Sequence, residues 1–215
     1  MVLYRTLGVL CVIGITLANI FYDSILLKIA GAVVYTSFFE WTLHRFLMHK
    51  TPKIGAWKFD YAFHAHTRVH HKVLGYDHTY HLPEGKNKMI IAMAWWNCPV
   101  LIFAAASPFI LGSLLFGISW YAPLIVGLVA LTYYGAYESF HWCMHLPRVP
   151  RRKLIERSWV FFRLNGHHLL HHRYMHKNFN VILPLPDLCL GTLRLRAVTF
   201  FTQARSESLP DVQPQ

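Results

Sequence analysis

Fifteen histidines occur in this 215-residue chain, and all of them lie within residues 44–81 and 141–176. Ten fall into four short boxes: His44-Arg-Phe-Leu-Met-His49, His66-Thr-Arg-Val-His70-His71, His141-Trp-Cys-Met-His145 and His168-Leu-Leu-His171-His172. Neutral imidazole is a ligand for zinc, copper, iron and nickel. Residues three or four apart on a helix share a face. His66 with His70, His141 with His145, and His168 with His171 and His172 can therefore each present their rings to one point. His44 and His49 are five apart, which on an ideal α-helix separates them by about 140°. They require a distorted helix end, or else they serve different metals. A structural zinc needs only a tetrahedral set, so a set of ten histidines fits two ions.

Other residue types narrow the chemistry. Cys11, Cys98, Cys143 and Cys189 form no CxxC pair, which argues against a zinc finger and a disulfide framework. Carboxylates are too scarce near the boxes for a ferritin-like carboxylate centre. Glu40 stands one turn before His44, and Glu138 precedes His141 and His145 on the same face. Both are expected to accept the outward N–H of a ligand histidine, which fixes its tautomer. The alternative is an interfacial acid paired with Arg45 or another base. His64, His78, His81, His167 and His176 fit no box and read as supporting or surface residues, although the spacing would let His64 or His176 replace a neighbour.

The elements that must position these boxes are apolar. Hydrophobic residues make up 54% of the chain and charged residues 14%, against about 25% charged in soluble domains. An ordinary soluble globule and intrinsic disorder are both excluded. A net charge of +11 on so apolar a chain points to a membrane surface rather than nucleic acid. Residues 7–22 are uncharged, 24–41 carry only Lys28 and Glu40, and 89–137 carry no charge at all. A bilayer core takes about 20 helical residues, so four transmembrane spans are predicted at 5–22, 25–43, 89–108 and 120–141. A hairpin over Pro108–Ala122 joins the last two. The first could be a secretory signal but lacks a cleavage site, and it reads as a retained helix.

The fold class is then all-α integral membrane: four spans with a cytosolic, histidine-rich helical cap, in one domain over 1–215. In this arrangement Lys28 alone of the 21 lysines and arginines lies on the far side. The positive-inside rule places both termini and every box in the cytoplasm. Leu188, Leu190, Leu193, Leu195, Val198, Phe200 and Phe201, set among Arg194, Arg196 and Arg205, suit a helix that lies in the interface or packs on the core. Residues 206–215 read as a disordered tail.

The boxes HX4H, HX3HH, HX3H and HX2HH resemble those of the fatty acid hydroxylase / sterol desaturase superfamily. The closing run Asn178-Phe-Asn-Val-Ile-Leu-Pro-Leu-Pro-Asp187, followed by Gly191-Thr192-Leu193, is similar to that superfamily's last segment. Pro186 and Leu188 depart from the tryptophan and arginine that often flank its aspartate. The likeness covers roughly residues 30–195. It implies a dinuclear centre of two iron ions (Fe2+/Fe3+) that activates O2 to hydroxylate or desaturate a lipid C–H bond. The ligands it implies are His44, His49, His66, His70, His71, His141, His145, His168, His171 and His172. Beta-carotene hydroxylases have similar boxes and a similarly short chain, so a carotenoid ring is the alternative substrate.

On this reading the lipid enters from the bilayer between spans. Trp41, Phe46, Phe63, Trp142, Trp159, Phe161 and Phe162 crowd the boxes, either as tunnel walls or as an interfacial belt. No dinucleotide fingerprint, iron–sulfur cysteine set or fused haem-binding domain is present, so electrons must come from a separate reductase or small carrier. Lys50, Lys53, Lys58, Arg151, Arg152 and Lys153 form the candidate docking face; they serve equally as topology determinants and anionic-lipid contacts. The compact form suggests a bacterial inner membrane rather than the endoplasmic reticulum. From a different class, a histidine-rich metal-ion transporter would place ligands near the bilayer midplane, where these spans have none. A bis-histidine haem protein uses at most four of the boxed residues.

Overall fold

The computed structural model describes residues 24–147 and 154–195. The described chain is mostly helical. Helix α1 (Ile25–Leu43) runs into a π-helical turn, His44–Met48. A two-stranded antiparallel hairpin follows, β1 (Lys53–Ile54) with β2 (Trp57–Lys58). Next comes a short composite helix: α2 (Tyr61–Phe63), a second π-helical turn (His64–His70) and α3 (His71–Val73). Single 3-10 turns at His78–Tyr80 and Lys88–Ile90 lead to α4 (Asn97–Phe116) and α5 (Tyr121–His145). A 3-10 turn at Leu154–Arg157 precedes α6 (Trp159–Arg173), and α7 (Leu185–Cys189) closes the described fold.

Two described stretches are long and apolar enough to cross a membrane, Ile25–Met48 and Asn97–Phe116. Helix α5 is longer than either, but Tyr133, Tyr134, Tyr137, Glu138, His141 and His145 make its second half more polar. The span expected at 5–22 lies outside the described residues, as do the tail 206–215 and Arg151, Arg152 and Lys153. The span expected at 89–108 is displaced. Residues 89–96 are turns and irregular chain, and the helix starts at Asn97 and continues through Pro108 to Phe116. Proline has no N–H to give the carbonyl four residues back. Here the Ser107 hydroxyl donates to that carbonyl, Ala104 O, at 2.9 Å. The chain turns instead at Gly117, whose φ of +68° ends α4 in the left-handed conformation that glycine adopts without steric cost.

Helices α1, α4 and α5 pack together through Ala32, Phe109 and Val126. Tyr35 lies edge-on to Phe109 at 5.1 Å and donates its hydroxyl to Ala105 O at 3.0 Å, tying α1 to α4. The outward faces are apolar: Leu26 on α1, Phe103, Leu114 and Phe116 on α4, and Leu124, Leu128 and Leu131 on α5 are all exposed. A second core of Tyr80, Tyr137, Met144, Phe161, Leu164 and Val181 seats α6 against the end of α5. An interfacial helix over 188–201 does not form in its described part. After Cys189 the chain turns, because the N–H groups of Thr192 and Leu193 both donate back to Asp187 O at 2.8 Å. Residues 196–201 lie outside the described region.

Candidate metal centre

The structure brings all ten boxed histidines together, in two groups of five. His44, His49, His66, His71 and His171 make the first, and His70, His141, His145, His168 and His172 the second. Within each group the ligand atoms lie within 4.8 Å of one another. The groups adjoin: the rings of His71 and His172 are 4.2 Å apart.

The boxes do not map one to one onto the groups, and the two π-helical turns are the reason. Both close on a pair of ligands in the first group. His49 N–H donates to His44 O at 3.2 Å, and His71 N–H donates to His66 O. In a π turn, residues five apart are hydrogen-bonded and stand one above the other. His44 and His49 thereby reach one site, the distorted helix end that their spacing demanded. The same device corrects the expected pairing of His66 with His70. His66 and His71 face the first group, while His70, between them in register, faces the second. Helix α6 divides likewise: His168 and His172, four apart, face the second group, and His171 turns to the first.

The tautomers are fixed by acceptors on the outer side. The Nδ1–H of His70 donates to Ile90 O at 3.0 Å, that of His145 to Tyr80 O at 2.7 Å, that of His171 to Lys177 O at 2.8 Å and that of His172 to Leu74 O at 2.7 Å. His44 Nδ1–H donates to Phe179 O. His49 Nδ1–H donates to the Thr67 hydroxyl at 3.2 Å, whose own proton goes to Met48 O at 2.6 Å. Carbonyls only accept, so in these rings the Nε2 lone pair points inward. In the first group Nε2 atoms meet at 2.9 Å (His44–His66), 3.0 Å (His66–His71) and 3.1 Å (His71–His171 and His49–His171). In the second they meet at 3.0 Å (His145–His168), 3.1 Å (His168–His172) and 3.3 Å (His70–His172). His141 Nε2 is buried with no hydrogen-bond partner.

In the pairs whose two rings are both fixed in this way, His49–His171 at 3.1 Å and His70–His172 at 3.3 Å, lone pairs face each other and repel, and a cation between them removes the conflict. Ligands about 2.1 Å from one ion stand about 3.0 Å apart at right angles and about 3.4 Å apart in a tetrahedron. The spacings of 2.9–3.3 Å are those of atoms that could share one ion. Burial depresses the imidazole pKa values further. It pushes His49, with help from the His70 charge, and His70 down to about 4. It holds His66, His168, His171 and His172 well below the ordinary value. All are neutral at pH 7, the form that binds metal.

Glu40 and Glu138 do not take the expected part. Among the described residues neither carboxylate accepts from a boxed histidine; for His44, His70, His145, His171 and His172 a backbone carbonyl fills that place. Glu40 accepts from Val181 N–H at 2.7 Å, Asn180 Nδ2 at 2.9 Å and the Tyr133 hydroxyl at 2.7 Å. Glu138 faces Met93 N–H at 3.4 Å. Glu40 thus acts on the segment whose Phe179 carbonyl receives His44. The same segment is held from its other side by Asp187, which accepts from Phe179 N–H and Asn180 N–H at 2.9 Å and from the Thr192 hydroxyl at 2.6 Å. His167 Nε2–H donates to Asp187 Oδ2 at 3.2 Å. Burial works to raise the Asp187 carboxyl, but the hydrogen bonds from His167, Thr192 and Asn180 outweigh it and hold it below its ordinary value. Asn178, in the left-handed region at φ 55°, ties the segment to Arg194. Asp187, Asn178, Asn180 and Thr192 had no assigned role in the boxes. Their sequence signal is three polar residues and an acid in an otherwise apolar closing run. His64, His78 and His176 are exposed and outside both groups, and His81 lies against the Tyr80 ring.

Two apolar cavities end on the histidines. One, small at about 60 Å³, lies among α1, α4 and α5 and reaches His44; Glu40, Tyr133 and Tyr134 also line it. The other, about 290 Å³, has His66, His70 and His141 in its wall. Leu43, Met48, Met93, Leu101 and Tyr137 line both. None of the seven aromatic residues weighed as tunnel walls or interfacial belt lines either cavity; Phe39, Tyr61, Tyr133, Tyr134 and Tyr137 do, with aliphatic and methionine side chains. No family model, curated protein or solved structure matches the chain.

Proposed function

We propose that the chain is a membrane-bound di-iron oxygenase that hydroxylates or desaturates a lipid C–H bond. The observation that carries this reading is the pair of buried five-histidine groups, side by side, opening on an apolar space. The resemblance of the four boxes and the closing segment to the fatty acid hydroxylase / sterol desaturase superfamily supports iron as the metal. Two irons would supply O2 activation and the removal of hydrogen from an unactivated carbon.

The residues of this chain do the rest. The carbonyls of Phe179, Ile90, Tyr80, Lys177 and Leu74 orient five of the rings, so His44, His70, His145, His171 and His172 present their Nε2 atoms without rearrangement. Leu43, Met48, Met93 and Leu101 exclude water from the approach, protecting a reactive oxidant. An alkyl chain lying along the shared wall would bring a carbon against His44, His66, His70 and His141. Helix α5, with Leu124, Leu128 and Leu131 exposed, is read as a further span beside α1 and α4. The boxes then face the basic, cytoplasmic side, where a separate electron donor docks.

Metal analysis of the purified chain tests the reading. Two irons per chain with no haem Soret band are expected, and an iron-free protein that restores no lipid oxidation on iron addition would overturn it. His171→Ala should lose the first iron and His70→Ala the second. Each should abolish oxidation while the protein still inserts in the membrane.

A further inference from the structure

The β1–β2 hairpin has no part in the metal site, yet it displays large side chains to solvent. It is only two residues per strand, with Gly55 at φ +59° in its turn, and an isolated hairpin of that size is marginal in water. Its Trp57 is 77% exposed and the next residue but one, Phe59, is 52% exposed. In register, Lys53 stands directly opposite Lys58. Like charges so placed repel, and Asp60 offsets only Lys58, at 2.8 Å.

This patch continues to the start of α4. The Tyr61 ring contacts Trp96 at 4.8 Å, and Trp95 beside it is 83% exposed. Asn97 begins a stretch apolar enough to cross a bilayer, so Trp95 and Trp96 stand where a span would meet the headgroups. Tyr61, Met89 and Ala94 also line the 290 Å³ cavity whose wall holds His66, His70 and His141. Tryptophan and tyrosine settle at the level of lipid headgroups, and lysines beside them draw anionic lipid.

We infer that the Trp57 hairpin and the Trp95–Trp96 corner form an interfacial collar seated on an anionic leaflet, which sets the mouth of the histidine-walled cavity at headgroup depth. The inference rests on the membrane part of the proposed function. It commits to a lipid surface because the aromatic patch joins the end of a candidate span and its unpaired charge is positive.

The test uses the full chain in nanodiscs of phosphatidylcholine, with and without phosphatidylglycerol. The emission of Trp57 is read as the difference between wild type and Trp57→Phe. Lipids brominated near the headgroup end of the acyl chain should quench most of that emission, and lipids brominated near the bilayer centre should quench little. Phosphatidylglycerol should deepen the shallow quenching, and Lys53→Ala/Lys58→Ala should remove that increment. Trp57 emission indifferent to both brominated lipids and freely quenched by acrylamide overturns the collar. So does emission unchanged by lipid that responds only to an added acidic electron-carrier protein. Alkaline carbonate extraction separates the two readings. A chain that stays in the membrane pellet with Trp57 unquenched removes the collar alone, whereas a chain released to the supernatant removes the membrane reading as well.

Discussion

Asp187 is buried without exposure and touches no ligand, yet it governs one. Its Oδ1 accepts from Phe179 N–H and the Thr192 hydroxyl, and its Oδ2 from Asn180 N–H and His167. In Asp187→Asn one of these pairs must face an NH2 group, leaving donors against donors. The 179–180 segment then shifts, and the Phe179 carbonyl leaves His44 Nδ1. Disturbing the group behind a ligand typically costs roughly 10–100-fold in metal affinity. That loss is expected for a metal held by the first group, with one held by the second unaffected. A chelator-competition titration reads both, and equal loss at the two sites would refute the route through Phe179. The histidines that gather were legible in the sequence, because imidazoles at short spacing announce themselves. The carboxylates were misread because their true partners, Val181 and Asn180, lie 140 and more residues along the chain from Glu40.

At the scale of elements, the π-helical turns decide which histidine joins which group. Sequence spacing predicts faces only for a stated period, and an α-helical period sends His66 and His70 to one point. The five-residue closures His44–His49 and His66–His71 change that period for one turn each. An alanine inserted after Phe46, which is exposed, sets His44 and His49 six apart, a spacing that neither helix type brings to one side. Deleting Phe46 sets them four apart, and an α-helical turn then restores a shared face. The insertion should lose one iron of two, and the deletion should retain both, as measured by iron content per chain. Loss of iron in both variants would show that something other than spacing holds the pair. The start of α4 was misplaced for a different reason. Residues 89–96 are as apolar as the helix after them, so composition carries no boundary there. Pro108, read as a break, is accommodated by a single serine hydroxyl.

Across the whole molecule, the two histidine groups act as crosslinks between segments with little else in common. The first joins the end of α1, the composite helix and α6; the second joins the composite helix, α5 and α6. The apolar contacts of α1, α4 and α5 through Ala32, Phe109 and Val126 involve no histidine. Metal removal should therefore act unequally. An ion held at roughly a thousandfold above its Kd contributes about 4 kcal/mol to the folded state. Stripping it also returns the inward lone pairs of His49–His171 and His70–His172 to mutual repulsion at 3.1 and 3.3 Å. The segments that gain most from the metals are the composite helix, α6 and the Phe179–Val181 run. Hydrogen exchange on chelator-treated protein in nanodiscs should accelerate over residues 61–82 and 159–181 and stay slow over α4. Restoring iron should reverse it. Uniform acceleration would mean that the metals hold up the entire bundle, and no acceleration would mean that the histidine groups are rigid without an ion and that the repulsion argument fails.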